Sequence, residues 1–60
     1  MDPTANLQQQ LTIATRILRD IDCERKPSLD DTERLAELVI ALDGWIHRNG
    51  HLPQQWQQEI

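Results

Sequence analysis

Cysteine occurs once in this 60-residue chain, and phenylalanine and tyrosine do not occur at all. The lone Cys23 excludes an internal disulfide, and no cysteine/histidine cluster supplies the ligand spacing of a zinc site. A domain of about 60 residues buries only about 60% of its unfolded surface and is marginal unaided. Scaffolds of this size without disulfide or metal commonly draw on oligomerisation or a larger partner. Long apolar runs are missing too. Nothing approaches the roughly 20 residues of a membrane span, and the basic-then-apolar pattern of a secretory signal is not seen at the start. A cytoplasmic setting is therefore expected. A basic excess is also lacking. The formal net charge is −4, which disfavours non-specific binding to nucleic acid or anionic membrane. The acidity is uneven: Asp2, Asp20, Asp22 and Glu24 are balanced by Arg16, Arg19, Arg25 and Lys26, so the whole excess lies from Pro27 onward.

The chain does carry helical periodicity, and strand-type alternation is absent. The organising stretch is Ser28 to about Asn49. Ser28 suits an N-cap, with Asp31 as a short-armed capping-box acid, and Asp30, Asp31 and Glu33 complement the helix dipole. Asn49-Gly50 suits a left-handed C-terminal cap, and Pro53 forbids continuation. At about 100° per residue, Leu35, Leu38, Val39, Leu42, Trp45 and Ile46 share one arc, the expected core face. Ala36, Ile40 and Gly44 form a second, thinner stripe. A glycine inside a helix costs about 1 kcal/mol relative to alanine, and close approach of another backbone is one reason to keep it.

An earlier helix is expected over about 4–24, capped by Asp2 or Thr4. Leu7, Leu11, Ala14, Leu18 and Ile21 recur at spacings of four and three, the seam of an antiparallel pair. Ile13 and Ile17 widen that face beyond what one partner helix covers. Gln8, Gln9, Thr12, Thr15, Arg16 and Arg19 fall on the opposite, wet face. The link Cys23 to Pro27 is short enough to make the helices antiparallel neighbours. After Gly50, Leu52 and Trp56 lie four apart and are expected to fold back over the open end. The sequence thus predicts one all-α domain over 1–60. It is an antiparallel helical hairpin (about 4–24 and 28–49) with a short C-terminal helical turn, packed as a homodimer or higher homo-oligomeric bundle.

Chemistry is harder to find. Cys23 lies at the opposite end of the hairpin from His47 and His51, so no thiol–base pair forms. His47 and His51 are four apart, but Gly50 and Pro53 interrupt the helix and no third ligand accompanies them. Asp30, Asp31, Glu33 and Glu37 cluster where a helix start favours acids; nucleic-acid mimicry is the rival reading. Arg34 is placed to pair with Asp30 or Glu37. Arg16, Arg19, Arg25 and Lys26 are interleaved with acids, and no recognition helix follows them. No nucleophile–base or paired-acid constellation stands at sensible spacing, so an enzyme is not expected, nor a cofactor or metal.

The stretch PSLDDTERLAELVIALDGWIHRNGHLPQQW, residues 27–56, resembles small uncharacterised proteins encoded by bacteriophages and prophages. The shared parts are a leucine-rich helix ending in Trp45, the Gly50 turn and the Leu52-Pro53-Gln54-Gln55-Trp56 tail. The resemblance implies an origin in a mobile element, placement in the host cytoplasm, and a short accessory protein that binds host or defence components, as an inhibitor does. It transfers no functional residue. The expectation is protein binding through Ile13, Ile17, Ala36, Ile40, Gly44 and Trp56. The rival is an oligomeric sponge for a nucleotide-like signal, contacted by Arg16, Arg19, Lys26 and Trp56. A weaker rival is a DNA-binding or DNA-mimic protein.

Overall fold

In the computed structural model, which describes residues 1–57, two α-helices lie antiparallel and a short tail folds back across their open end. Helix α1 spans Pro3–Asp22 and α2 spans Leu29–His47. A single 3-10 turn, Gln54–Trp56, ends the described chain. The helices start where their caps require. The Asp2 carboxylate accepts from the Ala5 N–H at 3.1 Å, with Pro3 at the first helical position, a position where proline's missing donor is harmless. Ser28 Oγ accepts from the Asp31 N–H at 3.4 Å. Among the described residues no helix is long and apolar enough to cross a membrane.

Both helices end in the same motif. The Arg25 N–H donates to the Asp20 carbonyl at 2.8 Å and the Glu24 N–H to the Ile21 carbonyl at 3.0 Å. The Gly50 N–H donates to the Trp45 carbonyl at 2.9 Å and the Asn49 N–H to the Ile46 carbonyl at 3.0 Å. These are paired six-to-one and five-to-two bonds, the Schellman arrangement, which needs a left-handed residue after the cap. Neither helix uses glycine there: Glu24 has φ 59° and Asn49 has φ 65°. Asparagine tolerates that region, whereas glutamate bears the full steric cost of its Cβ. Gly50 is needed one residue later for space. A Cβ there would overlap the Trp45 indole.

The core is small. Leu7 and Ile13 from α1 meet Leu38 and Leu42 from α2, and Pro3 and Pro53 are fully buried at the open end. The polar Asn6 is buried among them. Its side-chain amide donates to the Leu38 carbonyl at 3.1 Å, and Gln10 Nε2 donates to Asn6 Oδ1 at 2.6 Å. Asn6, Gln10, Ile13 and Ile17 therefore centre the face that α1 turns to α2. This corrects the expected seam. Of Leu7, Leu11, Ala14, Leu18 and Ile21, only Leu7 is buried; Leu11, Leu18 and Ile21 are 51%, 62% and 54% exposed. Ile13, expected to exceed the hairpin's needs, is instead inside it, and Ile17 is half-buried. On α2 the expected face holds, with Leu38 and Leu42 buried and Leu35, Trp45 and Ile46 half-buried, but Val39 is exposed.

Glu24→Gly removes the left-handed strain without touching a side-chain contact. It is expected to stabilise the fold by about 1 kcal/mol, read as a higher urea midpoint at unchanged slope.

Candidate interaction surface

The two broad faces of the hairpin differ in chemistry. One is polar and laced across. Arg16 Nε and Nη2 donate to both carboxylate oxygens of Asp31 at 2.7 and 2.8 Å, a bidentate fork. One helical turn of α2 later, Arg34 Nη2 donates to Gln9 Oε1 at 3.3 Å, and its Nη1 lies 3.9 Å from Glu37 Oε2. Asp31 was expected to close a capping box; its carboxylate reaches α1 instead, and only its N–H serves the cap. The Arg16 hydrogen bond, helped by the positive charge, holds the Asp31 carboxyl below the usual aspartate range, with partial desolvation opposing the shift. The same bond raises the Arg16 guanidinium.

The other face is apolar. At about 100° per residue, Leu7, Ala14, Leu18, Ile21 and Leu11 occupy one 80° arc of α1. That arc lies opposite Gln9 and Arg16. In an antiparallel pair, Val39 and Ile46 of α2 fall on the same side as this strip. The tail covers the part nearest the open end. The Gln54 N–H donates to Thr4 Oγ1 at 3.0 Å, and Gln55 Nε2 to the Thr4 carbonyl at 3.1 Å. The tail is steadied from α2 as well, because the Trp45 indole N–H donates to the His51 carbonyl at 2.9 Å, with the His51 ring edge-on at 5.5 Å. Trp56 then forms one wall of an apolar groove of about 290 Å³, completed by Gln10, Val39, Leu42, Asp43 and Ile46. Trp56 stays half exposed, as does Leu52; the prolines, not these two, seal the open end.

The expected partner-binding residues divide accordingly. Ile13 belongs to the hairpin's own core. Ala36, Ile40 and Gly44 line the outer edge of α2, where Ile40 is 73% exposed. A Cβ on Gly44 would meet nothing within 4 Å, so no backbone of this chain approaches it. The residues named for a phosphate ligand are not gathered. Arg16 and Arg19 line a shallow groove on the back of α1 with Gln8, Leu11, Thr12 and Thr15, and Arg16 is tied to Asp31 there. Trp56 lines the other groove, and Lys26 stands on the exposed loop. Cys23 is exposed at that loop, far from His47 and His51. Among the described residues no group of three or more histidine, cysteine or acidic side chains is placed to hold a metal ion.

Sequence reasoning missed Asn6, Gln10, Leu11 and Leu18 in their present roles. The signal for Asn6 was there: a polar residue among apolar ones, one turn before Gln10, on the arc shared with Ile13 and Ile17. No protein-family profile, curated protein or solved structure matches the chain.

Because the folded Asp31 titrates below its unfolded value, the Arg16–Asp31 fork contributes stability above about pH 4. That contribution fades as pH falls through the folded value. Asp31→Asn is expected to flatten the acid limb of the stability–pH curve while leaving the shape near pH 7 unchanged. Gly44→Ala is expected to raise stability by about 1 kcal/mol, measured by thermal unfolding, since its methyl group enters open space.

Proposed function

We propose that this chain is a non-catalytic protein-binding module that works as a homo-oligomer. The observation that carries the reading is the apolar surface left on the folded hairpin: Leu11, Leu18, Ile21 and Val39 on one broad face and Ile40 on the outer edge of α2. Scattered single hydrophobics are ordinary on any surface, but contiguous ones on a monomer this small favour an interaction site. Among the described residues, the aliphatic core of the hairpin is Leu7, Ile13, Leu38 and Leu42. Outside that core, Leu11, Leu18, Ile21 and Ile40 each leave more than half of their surface exposed. Two separate surfaces suit two jobs, one for self-association and the outer stripe of Ala36, Ile40 and Gly44 for a different protein. The resemblance to phage-encoded accessory proteins makes host and defence components the partners to test first, with inhibition as the outcome to look for.

Sedimentation equilibrium is expected to give a mass that is a multiple of 7.0 kDa at micromolar concentration, with a melting point that rises with concentration as mass action requires. A folded monomer throughout that range overturns the oligomer. For the heterologous partner, host-cell protein retained by the wild-type bait is expected to be lost from an Ile40→Glu bait. Equal retention by both overturns the assignment of the outer stripe.

A further inference from the structure

Two helices side by side make a single layer, and domains are ordinarily built from two or more layers around one core. The dimensions are those of an open single layer. The chain exposes 4909 Å², whereas a folded monomer of this mass exposes about 4,000 Å². The excess of about 900 Å² compares with the roughly 800 Å² each partner contributes to a standard interface. The Cα radius of gyration is 13.3 Å against about 10 Å for a compact chain of this length. The surface is also sorted, since Gln9, Arg16, Asp31 and Arg34 are joined across one face and the aliphatic strip occupies the other.

Shape decides the occupant and its direction. The apolar face is unequally covered along its length. Its open-end half carries the tail and the Trp56 groove, and its loop-end half, with Leu18 and Ile21, is bare. A second copy laid on it with loops at the same end would set tail against tail and leave both bare halves apart. A second copy turned end for end sets each tail-bearing half on the other's bare half. That contact is isologous, each Trp56 meeting the other copy's Leu18 while its own Leu18 receives the other Trp56, which is what a closed two-fold pair requires.

We infer that a second copy of this chain docks on the Leu11–Leu18–Ile21 face with its loop at the opposite end, giving an antiparallel four-helix bundle in which each Trp56 seats against the partner hairpin. This deepens the homo-oligomer reading and rests on it. The native Cys23 marks the loop end and is exposed, so the wild-type chain carries its own probe. With a nitroxide on Cys23, pulsed dipolar EPR is expected to give an inter-label distance on the order of 30 Å, about the length of a 20-residue helix. Leu18→Glu is expected to yield a monomer with unchanged helical circular dichroism, because Leu18 is exposed within the single chain. Trp56→Ala is expected to weaken the pair roughly tenfold, as loss of a tryptophan anchor does. Ile40→Glu, on the outer edge, is expected to remain paired. A dimer with labels within about 20 Å, or one that survives Leu18→Glu and dissociates with Ile40→Glu, overturns this arrangement while the homo-oligomer stands. A wild-type monomer overturns both.

Discussion

The amide of Asn6, held by the Leu38 carbonyl, sets the rotation of α1 on which the rest of the structure depends. A buried polar side chain stripped of its partner costs about 1–3 kcal/mol, a large share of what so small a core can supply. Any turn of α1 that brought Leu11 and Leu18 onto α2 would swing Asn6 off that carbonyl. Gln10 closes the arrangement by donating to Asn6, which leaves the amide oxygen satisfied as well. From this one contact follow the burial of Ile13, the half-burial of Ile17 and the outward display of Leu11, Leu18 and Ile21. The polar clamp thus exchanges some aliphatic burial inside the hairpin for a defined pairing of its helices.

The helix ends were legible in the sequence because their signals are local. Asp2, Ser28 and Asn49-Gly50 act within a few residues of themselves, and the structure puts each at a helix end. The choice of face was not legible. Leu7, Leu11, Ala14 and Leu18 form a better hydrophobic repeat than Asn6, Gln10, Ile13 and Ile17, and periodicity alone favours the former. What reverses the preference is a long-range bond from residue 6 to residue 38, which no window on one helix contains. Asp31 teaches the same lesson. As a capping residue it reads correctly by position, yet its carboxylate is taken by Arg16 on the other helix. Gly44 sits differently again. Its spacing with Ala36 and Ile40 suggested a close neighbour, and the hairpin provides none.

The division into a laced face and a bare face gives each ion a specific place. The Arg16–Asp31 fork bridges α1 to the first turn of α2, near the loop, while Asn6 ties the helices near the open end. One clasp at each end fixes both separation and angle. The outermost surface of α1 is correspondingly quiet, since the Thr12 and Thr15 hydroxyls donate to carbonyls of their own helix. That leaves the aliphatic strip, the tail and the outer edge of α2 around Ile40 as the apolar places open to another molecule.

The tail's anchorage has a kinetic consequence. Its bonds to Thr4 span 50 and 51 residues, so closing them on an unfolded chain would mean gathering almost the entire polypeptide into one loop. Pairing the helices first shortens that loop, because Thr4 and the end of α2 are then already side by side. Pro53 is fully buried, whereas Leu52 and Trp56 on either side of it stay about half exposed, so the segment is held at one point and open around it. The groove walled by Trp56 therefore depends on a segment whose hold on the hairpin comes through Pro53 and Thr4.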